Sequence, residues 1–109
     1  MNEIEFLDQV RELELELFSR DVNQWIRKEN DQNKRKFRVL RTEVSTYRSQ
    51  LETDRLKVFA DKLDELAPDL QKGMEKLQKE IDSLNDFVKT VEFLGRVIGI
   101  ISRIVTLVV

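Results

Sequence analysis

Residues 93–109 read Phe-Leu-Gly-Arg-Val-Ile-Gly-Ile-Ile-Ser-Arg-Ile-Val-Thr-Leu-Val-Val, and on a helix they are apolar around most of the circumference. Only a narrow stripe of Glu92, Arg96, Gly99, Arg103 and Thr106 interrupts that surface. The density of β-branched residues admits a terminal strand, but the seven-residue spacing of Arg96 and Arg103 favours a helix. A helix greasy on nearly every side has to be covered, either inside an oligomer or at a membrane.

Upstream, Leu70, Met74, Leu77, Ile81, Leu84, Val88 and Val91 alternate at four and three, the seam of a coiled coil. The same phase continues through Gly95, Ile98, Ser102, Val105 and Val109, which predicts one helix from 69 to near the end of the chain. A separate helix starting near Asp86 is the alternative. Ala67-Pro68-Asp69 holds the only proline and marks a boundary, because proline disfavours helical angles in the residue before it and suits a first helical turn. Before that boundary, Phe37, Leu40, Val44, Tyr47, Leu51 and Val58 form a second seam in a helix over about 34–66. Asp54 is its polar intrusion, read as a buried, register-setting carboxylate. Residues 27–36 carry no apolar side chain, and Asn30, Asp31 and Asn33 suit a break near 30–33. The first helix, about 2–29, opens on the capping-box spacing of Asn2 and Glu5 and carries Phe6, Leu7, Val10, Leu13, Leu17, Phe18, Val22, Trp25 and Ile26 at helical spacing, with Leu15 off the stripe.

These readings predict an all-α fold: three long antiparallel amphipathic helices, or four if the chain breaks near 85, in a coiled-coil-like bundle expected to be oligomeric. Residues 1–92 form the amphipathic bundle, with helices at about 2–29, 34–66 and 69–92. Residues 93–109 form an apolar segment continuous with the last helix. With three Gly and one Pro in 109 residues, a sandwich or barrel lacks the turn chemistry it needs.

The chain has no His and no Cys, which removes the common general base, the thiolate nucleophile and most transition-metal ligand sets. No phosphate loop or nucleophile motif appears, so the expectation is a protein without catalytic, metal or cofactor residues. The N-terminus is acidic and shows no leader pattern, which points to a cytoplasmic protein, with the apolar tail offering peripheral attachment to a membrane.

Charge is segregated along the chain. Residues 1–26 carry −5, 27–41 carry +5, 42–86 carry −4 and 87–109 carry +2, for a net −2. The +5 block sits at the positive end of a helix dipole, where cations are repelled, so either one helix runs uninterrupted through 27–41 or an anionic partner offsets the block. Two candidate sites follow. Val91, Leu94, Gly95, Ile98, Gly99, Ile101 and Val105 are the expected oligomer or membrane contacts, with Gly95 and Gly99 allowing close approach. Lys34, Arg35, Lys36, Arg38, Arg41, Arg96 and Arg103 are the expected contacts to an anion or a partner's carboxylates. A long hairpin would place the tail at the basic end of a rod, the combination that attracts anionic membranes. The leading expectation is therefore a self-assembling helical module using 93–109. The competing one is a regulatory protein docking a protein or nucleic acid through 27–41, although a pI near 5.3 argues against nucleic acid.

Overall fold

Asn2 accepts a hydrogen bond from the Glu5 amide at 2.9 Å, and α1 (Glu3–Leu17) follows from that cap. The computed structural model describes residues 1–108, so Val109, the last position of the expected seam, lies outside the described residues. The expected first helix over 2–29 divides at Phe18-Ser19. There Ser19 Oγ accepts from the Val22 amide and starts α2 (Arg20–Arg27). Asn30 accepts from the Asn33 amide at 2.8 Å and opens α3 (Asp31–Glu52), within the stretch where a break was expected.

The expected helix over 34–66 ends much earlier. Thr53 leaves the helix, Asp54 takes a left-handed conformation at φ 57°, and the Arg55 amide donates to the Gln50 carbonyl at 2.9 Å. This six-to-one closure is a Schellman turn, usually built on glycine. Asp54 is therefore an exposed turn residue and not a buried seam carboxylate.

A short strand, β1 (Leu56–Val58), leads into α4 (Ala60–Ser83), which runs straight through Pro68. The boundary expected at Ala67-Pro68 is thus an ordinary helical turn. Pro68 is on the exposed side, where water can serve the carbonyl its missing amide leaves free, while Leu63, Leu66, Ala67 and Leu70 around it are buried. The real boundary is Leu84-Asn85-Asp86, where Leu84 is left-handed at φ 48° and Asp86 accepts from the Lys89 amide at 3.0 Å. That cap opens α5 (Phe87–Ile104), the separate helix that was the alternative to one unbroken helix. The chain then leaves helical geometry as β2 (Val105–Leu107), which pairs antiparallel with β1 in the register Leu56 to Leu107, Lys57 to Thr106 and Val58 to Val105.

The protein is all-helical apart from this strand pair, and its extents of 40 × 26 × 20 Å correct the expected rod of long overhanging helices. Helices α1 and α3 form one antiparallel hairpin and α4 and α5 a second; α3 lies against α5, and α1 against α4. Because α5 turns back at residue 85, its C-terminal end meets β1, at the end opposite the basic block, and does not overhang beside it.

The core follows from the faces. Phe6, Val10, Leu13 and Leu17 of α1, Phe37 and Val44 of α3, Leu70 and Leu77 of α4, and Leu94, Val97, Ile101 and Ile104 of α5 are all buried. Trp25 closes one end, 5.7 Å from Phe37 and 5.8 Å from Phe87 between ring centroids. Gly73 lets α4 and α5 approach, since a Cβ there would lie 3.1 Å from Val97 Cγ2. An ion-pair chain ties α1 to α3: Arg48 meets Glu14 at 2.9 Å and Glu52 at 3.1 Å, and Arg11 meets Glu52 at 2.7 Å. These groups are half-exposed or exposed, so the chain fixes register more than it adds stability.

Leu94→Ala and Ile101→Ala, at positions that are 0% exposed, should each cost about 2–5 kcal/mol in urea unfolding. The loss should be the same at every protein concentration, as for a core within one chain.

Candidate interaction surface

The structure divides the residues expected to contact an oligomer or membrane into two sets. Leu94, Ile98 and Ile101 are at most 5% exposed, and Val105 is buried against β1; all four belong to the chain's own core. Within the chain they are covered because α3, α4 and the strand pair together enclose α5, where two neighbouring helices would not. Val91 and Gly95 are half-buried and Gly99 is exposed. At 100° per residue, Val88, Val91, Gly95, Gly99 and Ser102 share one strip of α5 on its solvent side toward α3. A Cβ built at Gly95 or Gly99 meets nothing within 4 Å.

The strip borders a groove. Gln32, Arg35, Lys36, Val39 and Leu40 of α3 and Val91 of α5 line a shallow, mostly apolar depression of about 490 Å³. It continues along α3 past Arg38, Thr42, Glu43, Thr46, Tyr47 and Gln50 as a second depression of about 570 Å³ that shares Arg35 and Val39. Two members of the basic block therefore stand beside one member of the apolar segment, so the two candidate sites touch here. Val39 is 56% exposed and Val88 71% exposed, each a large apolar side chain that the chain leaves uncovered. Val39 lies off the α3 seam, and its only sequence signal is that it is apolar among Arg38, Leu40 and Arg41. Val88 lies on the expected seam, but the break at Leu84 resets the helix phase and turns it outward.

The cations differ in occupation. Among the described residues, Lys34, Arg35, Lys36 and Arg38 make no ion pair, and neither does Glu43. Arg41 is already committed. Its Nη1 donates to Asn23 Oδ1 at 2.6 Å and to the Leu17 carbonyl at 3.3 Å, and its guanidinium lies 4.4 Å from the Phe18 ring centroid. It pins the α1–α2 joint, and burial, with help from Arg38, holds its pKa below the ordinary value. Arg96 pairs with Glu92 at 2.6 Å on its own helix. Arg96 and Arg103 flank a different depression, of about 370 Å³, on the α4 side of α5 with Lys72, Lys76, Phe93 and Ile100. The sequence-derived cation set is thus split between two faces and a structural joint.

Elsewhere, a small cavity of about 130 Å³ between α1 and α4 is lined by Gln9, Glu12, Glu16 and Gln78, among others. Gln9 Oε1 is buried without a hydrogen-bond partner among the described residues. Burial pushes the Glu16 carboxyl up from 4.5, and the charge of Asp82 adds to the shift. Among the described residues, no three or more His, Cys, Asp or Glu side chains are grouped to hold a metal ion. No helix among them is long and apolar enough to cross a membrane. Compared with protein-family models, curated proteins and solved structures, the chain shows no match.

Gly95→Ala and Gly99→Ala, at positions with open space beyond the backbone, should each stabilise the isolated chain by about 0.5–1 kcal/mol in thermal unfolding. Gly73→Ala, which meets Val97 at 3.1 Å, should gain less or lose. Glu16→Gln should raise the melting temperature at pH 7. A carboxyl whose folded pKa is raised opposes folding once ionised, so wild-type stability should recover from this effect as pH falls through that raised value and the variant should show no such recovery.

Proposed function

We propose that the protein is a non-enzymatic helical interaction module that associates with its own kind through the face shared by α3 and α5. The observation carrying this reading is the open strip on α5. A glycine inside a helix costs about 1 kcal/mol relative to alanine, and Gly95 and Gly99 gain nothing within the chain in return, since no atom occupies the space their side chains would fill. A second helix laid close to the α5 backbone uses that space. The exposed Val39 and Val88 beside it support the same reading, because they supply apolar area that association would cover. The contact set is accordingly Val39, Val88, Val91, Gly95 and Gly99, with Leu94, Ile98 and Ile101 left to the core.

A second reading is favoured by the unpaired cations at the start of α3: docking of an anionic surface, either acidic side chains of another protein or the head groups of a membrane, on Lys34, Arg35, Lys36 and Arg38. Salt separates the two readings, because binding driven by exposed charge weakens steeply with ionic strength whereas apolar helix contact does not.

Light scattering after size exclusion should give a mass that is a small multiple of 13.0 kDa, maintained in high salt and unchanged by vesicles containing anionic lipid. A monomer at every concentration that sediments with such vesicles only in low salt would replace self-association with the second reading.

A further inference from the structure

We infer that two copies meet across a two-fold axis through Val39, with their α3 helices antiparallel and Arg35 of each facing the partner's Glu43. The inference rests on the self-association reading above and specifies its geometry. Arg35, Val39 and Glu43 are spaced by four residues and form one ridge of α3, the kind of ridge that packs against its like when helices cross at about −50°. Along this ridge the order is cation, exposed apolar residue, anion, with Val39 at the midpoint. In an antiparallel two-fold pair, residues equidistant from the axis on opposite sides face each other. The ridge is therefore complementary to its own image: each Arg35 meets the partner's Glu43 and Val39 meets Val39. Rotating the partner to run parallel would set Arg35 on Arg35, so the charge pattern selects the antiparallel arrangement.

The neighbouring positions agree. Lys36 falls opposite the partner's Thr42 and Gln32 opposite the partner's Thr46, and no like charges are opposed. Arg35, Lys36 and Glu43 make no ion pair among the described residues, so association breaks none. Both depressions on this face include Val39 in their walls, so Val39 stands between them as the uncovered apolar point of the ridge. Helix α3 has 22 residues and is therefore about 33 Å long, on a molecule 40 × 26 Å across, so the ridge at Arg35, Val39 and Glu43 lies in the middle part of the longest side. A second copy is the occupant because charge antisymmetry about one apolar residue is what self-pairing requires and what an unrelated partner does not.

The chain has no cysteine, so Val39→Cys carries a single thiol. With oxidised glutathione as oxidant, two such thiols at the axis should form a disulfide-linked dimer promptly, whereas Lys72→Cys on the far face should remain largely uncrosslinked. Arg35→Glu and Glu43→Arg should each weaken association by about tenfold, since every dimer contains the pair twice. The double variant should return to within about threefold of wild type. Circular dichroism on each variant verifies that the surface changes leave the helices intact. A wild-type chain that self-associates while the double variant is no tighter than the singles, and Val39→Cys links no faster than Lys72→Cys, overturns this geometry and leaves the module reading standing. A wild-type chain that stays monomeric at every concentration overturns both.

Discussion

Burial of the inner face of α5 is the constraint on which the rest of the structure depends. Leu94, Val97, Ile101 and Ile104 are enclosed by α3, α4 and the strand pair, and full burial of each such side chain contributes about 1.5–3 kcal/mol. The segment can be covered within one chain only if it runs back along α4, which demands a reversal near residue 85. Leu84 accepts a left-handed conformation there and still packs against the core. Gly73 then sets how closely the two helices approach. Strands β1 and β2 complete the cover at the far end by burying Leu56, Val58 and Val105.

The sequence showed its helices more clearly than their ends. Apolar spacing marks most of the buried faces of α1 and α3, although Phe18 on the first stripe is exposed and Leu7, Leu40 and Tyr47 are half-buried, and the caps at Asn2 and Asn30 lie where their side-chain chemistry indicates. The misread boundaries share a cause, which is that local signals compete with packing. Pro68 is a strong breaker, but with Leu66, Ala67 and Leu70 buried around it the helix continues. Asp54 closes a turn that glycine would have announced, so the seam seemed to run on to 66. At Leu84-Asn85-Asp86 the heptad phase is unbroken in the sequence although the helix is not, because a turn can be inserted without disturbing residue spacing. Ser19 followed by Asp21 was a legible cap signal, hidden by the apolar run on both sides.

The candidate surface was legible only in outline. Composition placed basic and apolar material in separate blocks, and the fold brings one edge of each together at Arg35, Lys36 and Val91. Which apolar residues remain at the surface could not be read from a segment greasy on all sides, since that choice depends on which neighbours cover it. Three neighbouring elements take Leu94, Ile98 and Ile101 inward and leave Val88, Gly95 and Gly99 outward. Arg41 shows the same dependence: its charge suggested a ligand, and the α1–α2 joint uses it to hold Leu17, Asn23 and Phe18 in place.

Helix α5 is the core of a single chain before it is anything else. Amide hydrogen exchange on the dilute protein, in buffer without lipid or detergent, tests this directly. The amides of Leu94, Val97 and Ile101 should exchange among the slowest in the molecule, with the protection of global unfolding. Rapid exchange through α5 that slows only on concentration or on addition of anionic vesicles would contradict it, and would return the segment to the interface of an oligomer or a membrane.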